Sequence, residues 1–289
     1  MSAPAFPTVK LPSGEAVPAL GLGTWRLGEA ARSQRAEVAA LRRAIEMGYR
    51  LFDTAEMYGE GGAESVLGQA IGEAMRAGDV ARKQLFIVSK VYPHNASRTG
   101  TVEACERSLD RLGLEALDLY LLHWPGSHPL AETVAAFEHL REQGRIRHWG
   151  VSNFDTAEMA QLWGVKSGSS CAANQVYYSL AQRGIEFDLV PRQRAKRLPT
   201  MAYCPIDQGT LAQSAALQPL AKRLGATPAQ VALAWLISRG DVIAIPKAVQ
   251  ERHLRDNLGA ASLVLDPAAL TELDMLFPPP RRKRPLTMS

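Results

Sequence analysis

Short apolar runs alternate with longer stretches of helical periodicity along the whole chain. LGLGTW (20–25), YRLFDT (49–54), LFIVSK (85–90), LDLYLLHW (117–124), IRHWGVSN (146–153), CAANQV (171–176), TMAYCP (200–205) and VIAIPK (242–247) read as eight strands. Apolar positions recur at helical spacing between most of them. Val38, Leu41 and Ile45 share one face, and so do Val102, Cys105, Leu109 and Leu112. Gly48, Gly113 and Gly144 stand where left-handed helix caps belong. Asp155 with Glu158, and Thr227-Pro228 with Gln230, have capping-box spacing.

Strands followed by helices imply a parallel sheet covered by helices. Eight units, repeating every thirty or so residues, predict a closed (β/α)₈ TIM barrel. The segment 9–17 precedes the first unit and reads as an N-terminal β-hairpin turning at Ser13-Gly14, set against the barrel bottom. An open doubly wound sheet would need a phosphate loop after its first strand. The glycines of GLGTWRLG (21–28) lack G-x-G-x-x-G spacing, and GEGGAE (59–64) lacks the lysine and hydroxyl of a P-loop. The expected organisation is one barrel domain over 1–289, with its core at about 9–275 and a basic tail at 278–289.

The length of 289 residues and the 46% hydrophobic content suit one large core. A net charge of +4 is too small to argue for nucleic acid but suits an anionic ligand. Three widely spaced cysteines fit neither a disulfide framework nor a zinc site. The first fourteen residues show no signal-peptide pattern, and no apolar run is long enough to span a membrane, so the expectation is a cytoplasmic protein, acting as a monomer. The cationic stretch 183–199 (Arg183, Arg192, Arg194, Lys196, Arg197) reads as a solvated face, and PPPRRKRPL (278–286) as a tail without regular structure.

Barrels of this kind carry their chemistry at the C-terminal strand ends. Asp53 ends the second strand, with Tyr58 just beyond it; Lys90 ends the third and His123 the fourth. Ser152 and Asn153 end the fifth, Gln175 lies in the sixth, Tyr203 ends the seventh and Lys247 the eighth. Each alone has a structural explanation, such as a cap, a surface lysine or a core histidine. Together on one rim they suggest a shared site, in which a buried Lys90 would need Asp53 as its partner. Metal-ligand spacings are absent.

FDTAEMYG (52–59), VSK (88–90), LLHW (121–124), GVSNF (150–154), NQVYY (174–178), AYCP (202–205) and IPKAVQERHLRDN (245–257) resemble the aldo-keto reductases in order and spacing, over about 9–275. GTWRLGE (23–29) and DTAEMYGEGGAE (53–64) are similar to the bacterial branch that includes methylglyoxal reductases. The resemblance implies NADPH as cofactor, with NADH second, and a small aldehyde, α-ketoaldehyde or ketone as substrate. Its catalytic group would be Asp53, Tyr58, Lys90 and His123, with Tyr58 as general acid, its pKa lowered by Lys90, and His123 orienting the carbonyl. Ser152, Asn153 and Gln175 match carboxamide-holding positions, and Tyr203 the residue that stacks on the nicotinamide. Further cofactor positions are Gly23, Thr24, Trp25, Cys204, Pro205, Ile206, Lys247, Ala248, Val249, Arg252, His253, Asp256 and Asn257. The family pattern is altered at Cys204, at Ala248 after the phosphate-contacting Lys247, and at His253, which takes the place of an arginine that Arg252 or Arg255 could replace. Trp25, Trp124 and Phe154 would wall the substrate side. The short tail implies an open rim, and a cofactor-binding protein with little turnover is the alternative reading.

Overall fold

The apolar runs do form a barrel. In the computed structural model, which describes residues 6–288, eight parallel strands pair in chain order. They follow a two-stranded antiparallel hairpin of β1 (Thr8–Lys10) and β2 (Ala16–Pro18). The barrel strands are β3 (Leu22–Gly23), β4 (Leu51–Asp53), β5 (Phe86–Val91), β6 (Leu117–Leu122), β7 (Ile146–Ser152), β8 (Asn174–Tyr177), β9 (Thr200–Tyr203) and β10 (Val242–Ala244). Parallel bridges from Leu20 to Ala244 and from Gly23 to Lys247 close the ring. The starting segment MSAPA and the last residue, Ser289, lie outside the described residues.

Among the described residues ten α-helices surround the ring: α1 (Gln34–Met47), α2 (Gly62–Ala77), α3 (Arg98–Leu112), α4 (Leu130–Glu142), α5 (Thr156–Gly164), α6 (Leu189–Ala195), α7 (Gln218–Arg223), α8 (Pro228–Ile237), α9 (Glu251–Ala260) and α10 (Pro267–Leu276). The stripe Val38, Leu41 and Ile45 is buried, as are Cys105, Leu109 and Leu112. Capping boxes start α5 and α8 at the expected residues, and Gly48 and Gly113 take left-handed caps.

Two apolar layers result. Residues such as Tyr49, Phe52, Tyr120 and Trp149 pack between sheet and helices. A smaller cluster joins Leu51, Phe86, Leu119 and Met201 to Val9, Leu11 and Val17 of the hairpin. The hairpin therefore closes the end where the strands begin. Glu15 fastens it, bonded by Arg147 at 2.7 Å and His148 at 2.7 Å.

The two glycine-rich segments have a different use from phosphate binding. Gly28 takes φ +71°, and a Cβ there would lie 2.1 Å from the Gly62 backbone. The segments carrying Trp25 and Tyr58 thus touch backbone to backbone, which only glycine allows. In the stretch 183–199 Arg192, Arg194, Lys196 and Arg197 are exposed, as a solvated face requires, and only Arg183 departs from it. Arg183 is buried, paired with Glu186 and Asp274 at 2.8 and 2.7 Å, and stacked 5.0 Å over Trp235. Its two carboxylates supply the pairing that burial of a cation demands.

Candidate active site

The strand ends open into a cavity of about 790 Å³. At its floor Lys90 is fully buried. Its Nζ donates to Asp53 Oδ2 at 2.7 Å, to the Thr54 carbonyl at 2.9 Å and to the Tyr58 hydroxyl at 3.1 Å, satisfying all three protons of the ammonium. The other oxygen of Asp53 accepts from Gln175 Nε2 at 2.7 Å. Asp53, Tyr58, His123 and Gln175 line the cavity, whereas Lys90 stands behind Tyr58.

Burial pushes the Tyr58 hydroxyl above its ordinary value of 10. The Lys90 cation pulls it down, but less strongly than burial raises it, so the lowered pKa expected from the sequence is not the net result. Tyr58 therefore holds its proton at neutral pH. Asp53 and Tyr58 outweigh burial at Lys90 and keep it a cation. At His123, burial and then the nearby Lys90 cation press the pKa well below 6.5, so the ring is neutral. His123 Nδ1 is buried without a hydrogen-bond partner. A bare acceptor costs less there than a stranded N–H, so we assign the proton to Nε2, where it serves the cavity as a donor. The Tyr58 and His123 rings meet edge to face at 5.7 Å. Two donors in the cavity lining, Tyr58 O–H and His123 N–H, suit an oxygen that gains negative charge.

Beside this group Asn153, at φ +59°, donates from Nδ2 to the His123 carbonyl at 3.0 Å. Its Oδ1 accepts from the Tyr203 hydroxyl at 2.9 Å, which fixes the tyrosine ring at the cavity wall. Ser152 Oγ donates to the Gln175 carbonyl at 2.9 Å. The wall continues through Gly23, Trp25, Cys204, Pro205 and Ile206 to Lys247, Arg252, His253, Asp256 and Asn257 near the start of α9. Among the described residues neither Lys247 nor Arg252 has a carboxylate within ion-pair distance. An extended ligand with a polar amide head, a flat ring and an anionic far end fits this sequence of donors, ring face and cations.

Several expected residues are elsewhere. Phe154 is fully buried in the layer under the helices and does not line the cavity, while Trp124 does. Thr24 is also enclosed, its N–H and hydroxyl both donating to the Asp53 carbonyl at 2.9 and 3.0 Å. Ala248 packs in the core and Val249 is exposed, so neither side chain joins the lining. Arg255 pairs with Glu251 at 2.8 Å on the surface, leaving Arg252 to stand beside His253.

The lining also includes Arg26, Met57, Gln208, Gln213 and Met288. Met57 sits inside DTAEMYG and was within reach of the sequence. Met288 was not. The tail 278–288 lacks regular structure, as expected, but it is tethered. Lys283 Nζ lies 2.7 Å from Asp188, 3.0 Å from Asp155 and 2.5 Å from the Thr156 hydroxyl. Leu286 packs against the core, Thr287 bonds Gln182 at 3.2 Å, and Met288 reaches the cavity. The rim expected to be open thus carries a strap.

Comparison with known proteins agrees with this geometry. The model of the aldo/keto reductase family matches residues 19–277. The chain belongs to the aldo/keto reductase family. A methylglyoxal reductase of Escherichia coli, YeaE, is 47% identical over 277 residues, covering 94% of this chain and 95% of that protein. A Klebsiella pneumoniae aldo-keto reductase in complex with NADPH superposes with a TM-score of 0.92 at 47% identity, covering 99% of this chain and 100% of that one. A Klebsiella pneumoniae aldo/keto reductase with NADP and acetate gives 0.93 at 48% identity over 99% and 100% of the two chains. The (β/α)₈ expectation and the family reading both stand, and the protein is an enzyme of that family.

Proposed function

We propose that this aldo/keto reductase uses NADPH to reduce small aldehydes, α-ketoaldehydes such as methylglyoxal, and ketones to alcohols. The observation that carries the reading is Lys90 Nζ bridging Asp53 and the Tyr58 hydroxyl beside a neutral His123. When bound, the reduced nicotinamide supplies a hydride to the carbonyl carbon. Tyr58 gives its proton to the carbonyl oxygen, and the phenolate left behind faces the Lys90 cation. His123 holds that oxygen from its other side. Ser152, Asn153 and Gln175 would hold the carboxamide, with Tyr203 setting which ring face looks at the substrate. Lys247 and Arg252 would take the 2′-phosphate. Trp25, Met57, Trp124 and Met288 give the substrate side an apolar lining. The relatives' substrate and ligands support these choices. The same reading assigns a cytoplasmic monomer; among the described residues no helix is long and apolar enough to cross a membrane.

The test is NADPH oxidation over a panel of aldehydes and ketones that includes methylglyoxal, with NADH as control. Turnover with NADPH is expected; none with any carbonyl would reject the reading. Lys247→Ala should weaken NADPH by about tenfold or more through one lost charge-assisted bond, and NADH little. Equal losses would remove the phosphate role. The pH profile is a further check. Tyr58 donates only while protonated, and its pKa is raised above 10; His123 is neutral from below 6.5. Reduction should therefore be flat from about pH 7 to about pH 9, and a basic limb inside that window would contradict the assignment.

A further inference from the structure

Glu56 stands two residues before Tyr58 and is only 7% exposed. Its Oε1 accepts from the Tyr92 N–H at 2.7 Å and from Asn95 Nδ2 at 3.1 Å, in the turn that follows β5. Its own N–H points at the Lys90 carbonyl, 3.4 Å away. Lys90 Nζ reaches back to the Thr54 carbonyl at 2.9 Å. Residues 54–58 and 90–95 are therefore laced across the gap between two strands, by the Tyr58 hydroxyl on Lys90 and by Glu56 on the turn beyond it.

We propose that Glu56 is a positioning residue, holding the Tyr58 loop against the end of β5 so that the Tyr58 hydroxyl stays on Lys90. The inference rests on the reading of Tyr58 as the proton donor. A carboxylate suits the place because both partners are donors and Oε1 can accept from the two at once. Its second oxygen, Oε2, looks toward Arg107 at 3.8 Å, which offsets part of the cost of burial. The tie extends further. Tyr92, whose N–H it holds, meets Trp124 edge-on at 5.9 Å, so the turn also supports a cavity wall. Loss of the tie would let Tyr58 drift from Lys90 and from the substrate oxygen, where a shift of about 1 Å costs up to ~100-fold in rate.

The full chain carrying Glu56→Ala, Glu56→Gln, Asn95→Ala or Tyr58→Phe is compared with wild type using methylglyoxal and NADPH. Glu56→Ala should lower kcat by about 10- to 100-fold with little change in KM or in NADPH affinity. Its solvent deuterium isotope effect on kcat should rise, because proton donation becomes slower. Loss of stability alone would not move that effect. Glu56→Gln keeps an acceptor oxygen and should recover most of the rate. Asn95→Ala removes one of the two donors, and should repeat the pattern more weakly if Glu56→Ala does not fold. Near-wild-type kcat in Glu56→Ala and Asn95→Ala, an unchanged isotope effect, or no recovery in Glu56→Gln would overturn the proposal. Near-wild-type turnover in Tyr58→Phe would instead overturn the reading beneath it.

Discussion

Tyr58→Phe is expected to lower kcat by about 10²- to 10⁴-fold, the usual worth of a positioned general acid, and to leave NADPH affinity unchanged. The ring keeps its volume and its edge contact with His123, so the cavity keeps its shape. Lys90 loses one acceptor of three and retains Asp53 and the Thr54 carbonyl, so the buried charge stays compensated. Only the transferable proton is gone. Single-turnover NADPH oxidation reads the loss, and quenching of protein fluorescence by NADPH reads the binding. A variant that reduces methylglyoxal at nearly the native rate would exclude Tyr58 as the acid.

Lys90→Met should lose both turnover and stability. Methionine fills similar space but leaves the buried Asp53 Oδ2 without a cation at the cavity floor. Breaking one side of such a buried pair costs about 3–5 kcal/mol. At roughly 2 °C per kcal/mol for a chain of this size, Tm should fall by about 6–10 °C. Adding Asp53→Asn removes the stranded charge and should restore part of the Tm, yet no turnover, because nothing then stabilises the Tyr58 phenolate. Thermal melts and NADPH oxidation on the two variants separate these roles. An unchanged Tm in Lys90→Met would show that the pair carries no stability.

The barrel was legible because its strands are covered on both faces and so appear as uninterrupted apolar runs. Polar residues at the ends of such runs stand out, which is how Asp53, Lys90, His123 and Lys247 could be picked. What a run cannot give is the direction of the side chain just past it. Trp124 and Phe154 both follow strand ends, but one lines the cavity and the other fills the layer under the helices. Thr24 likewise follows a strand end, and its side chain turns to the Asp53 carbonyl. The sign of the Tyr58 shift needed a balance between burial and one cation, and a sequence contains only the cation. Arg183 and Lys283 read as solvated charges although Arg183 has a local partner in Glu186, because their other carboxylates lie far off in the chain, at Asp274 and at Asp155 and Asp188. No local pattern encodes the distant pairs.

The tethered tail bears on how the enzyme is handled. Met288 lines the cavity, so an affinity tag or fusion partner placed on its carboxyl-terminal side would begin close to the proposed site. The hairpin lies at the other end of the barrel, beneath the strand starts. Recombinant protein for kinetics is better tagged on the hairpin side, and activities measured with carboxyl-terminal fusions would report partly on the tag.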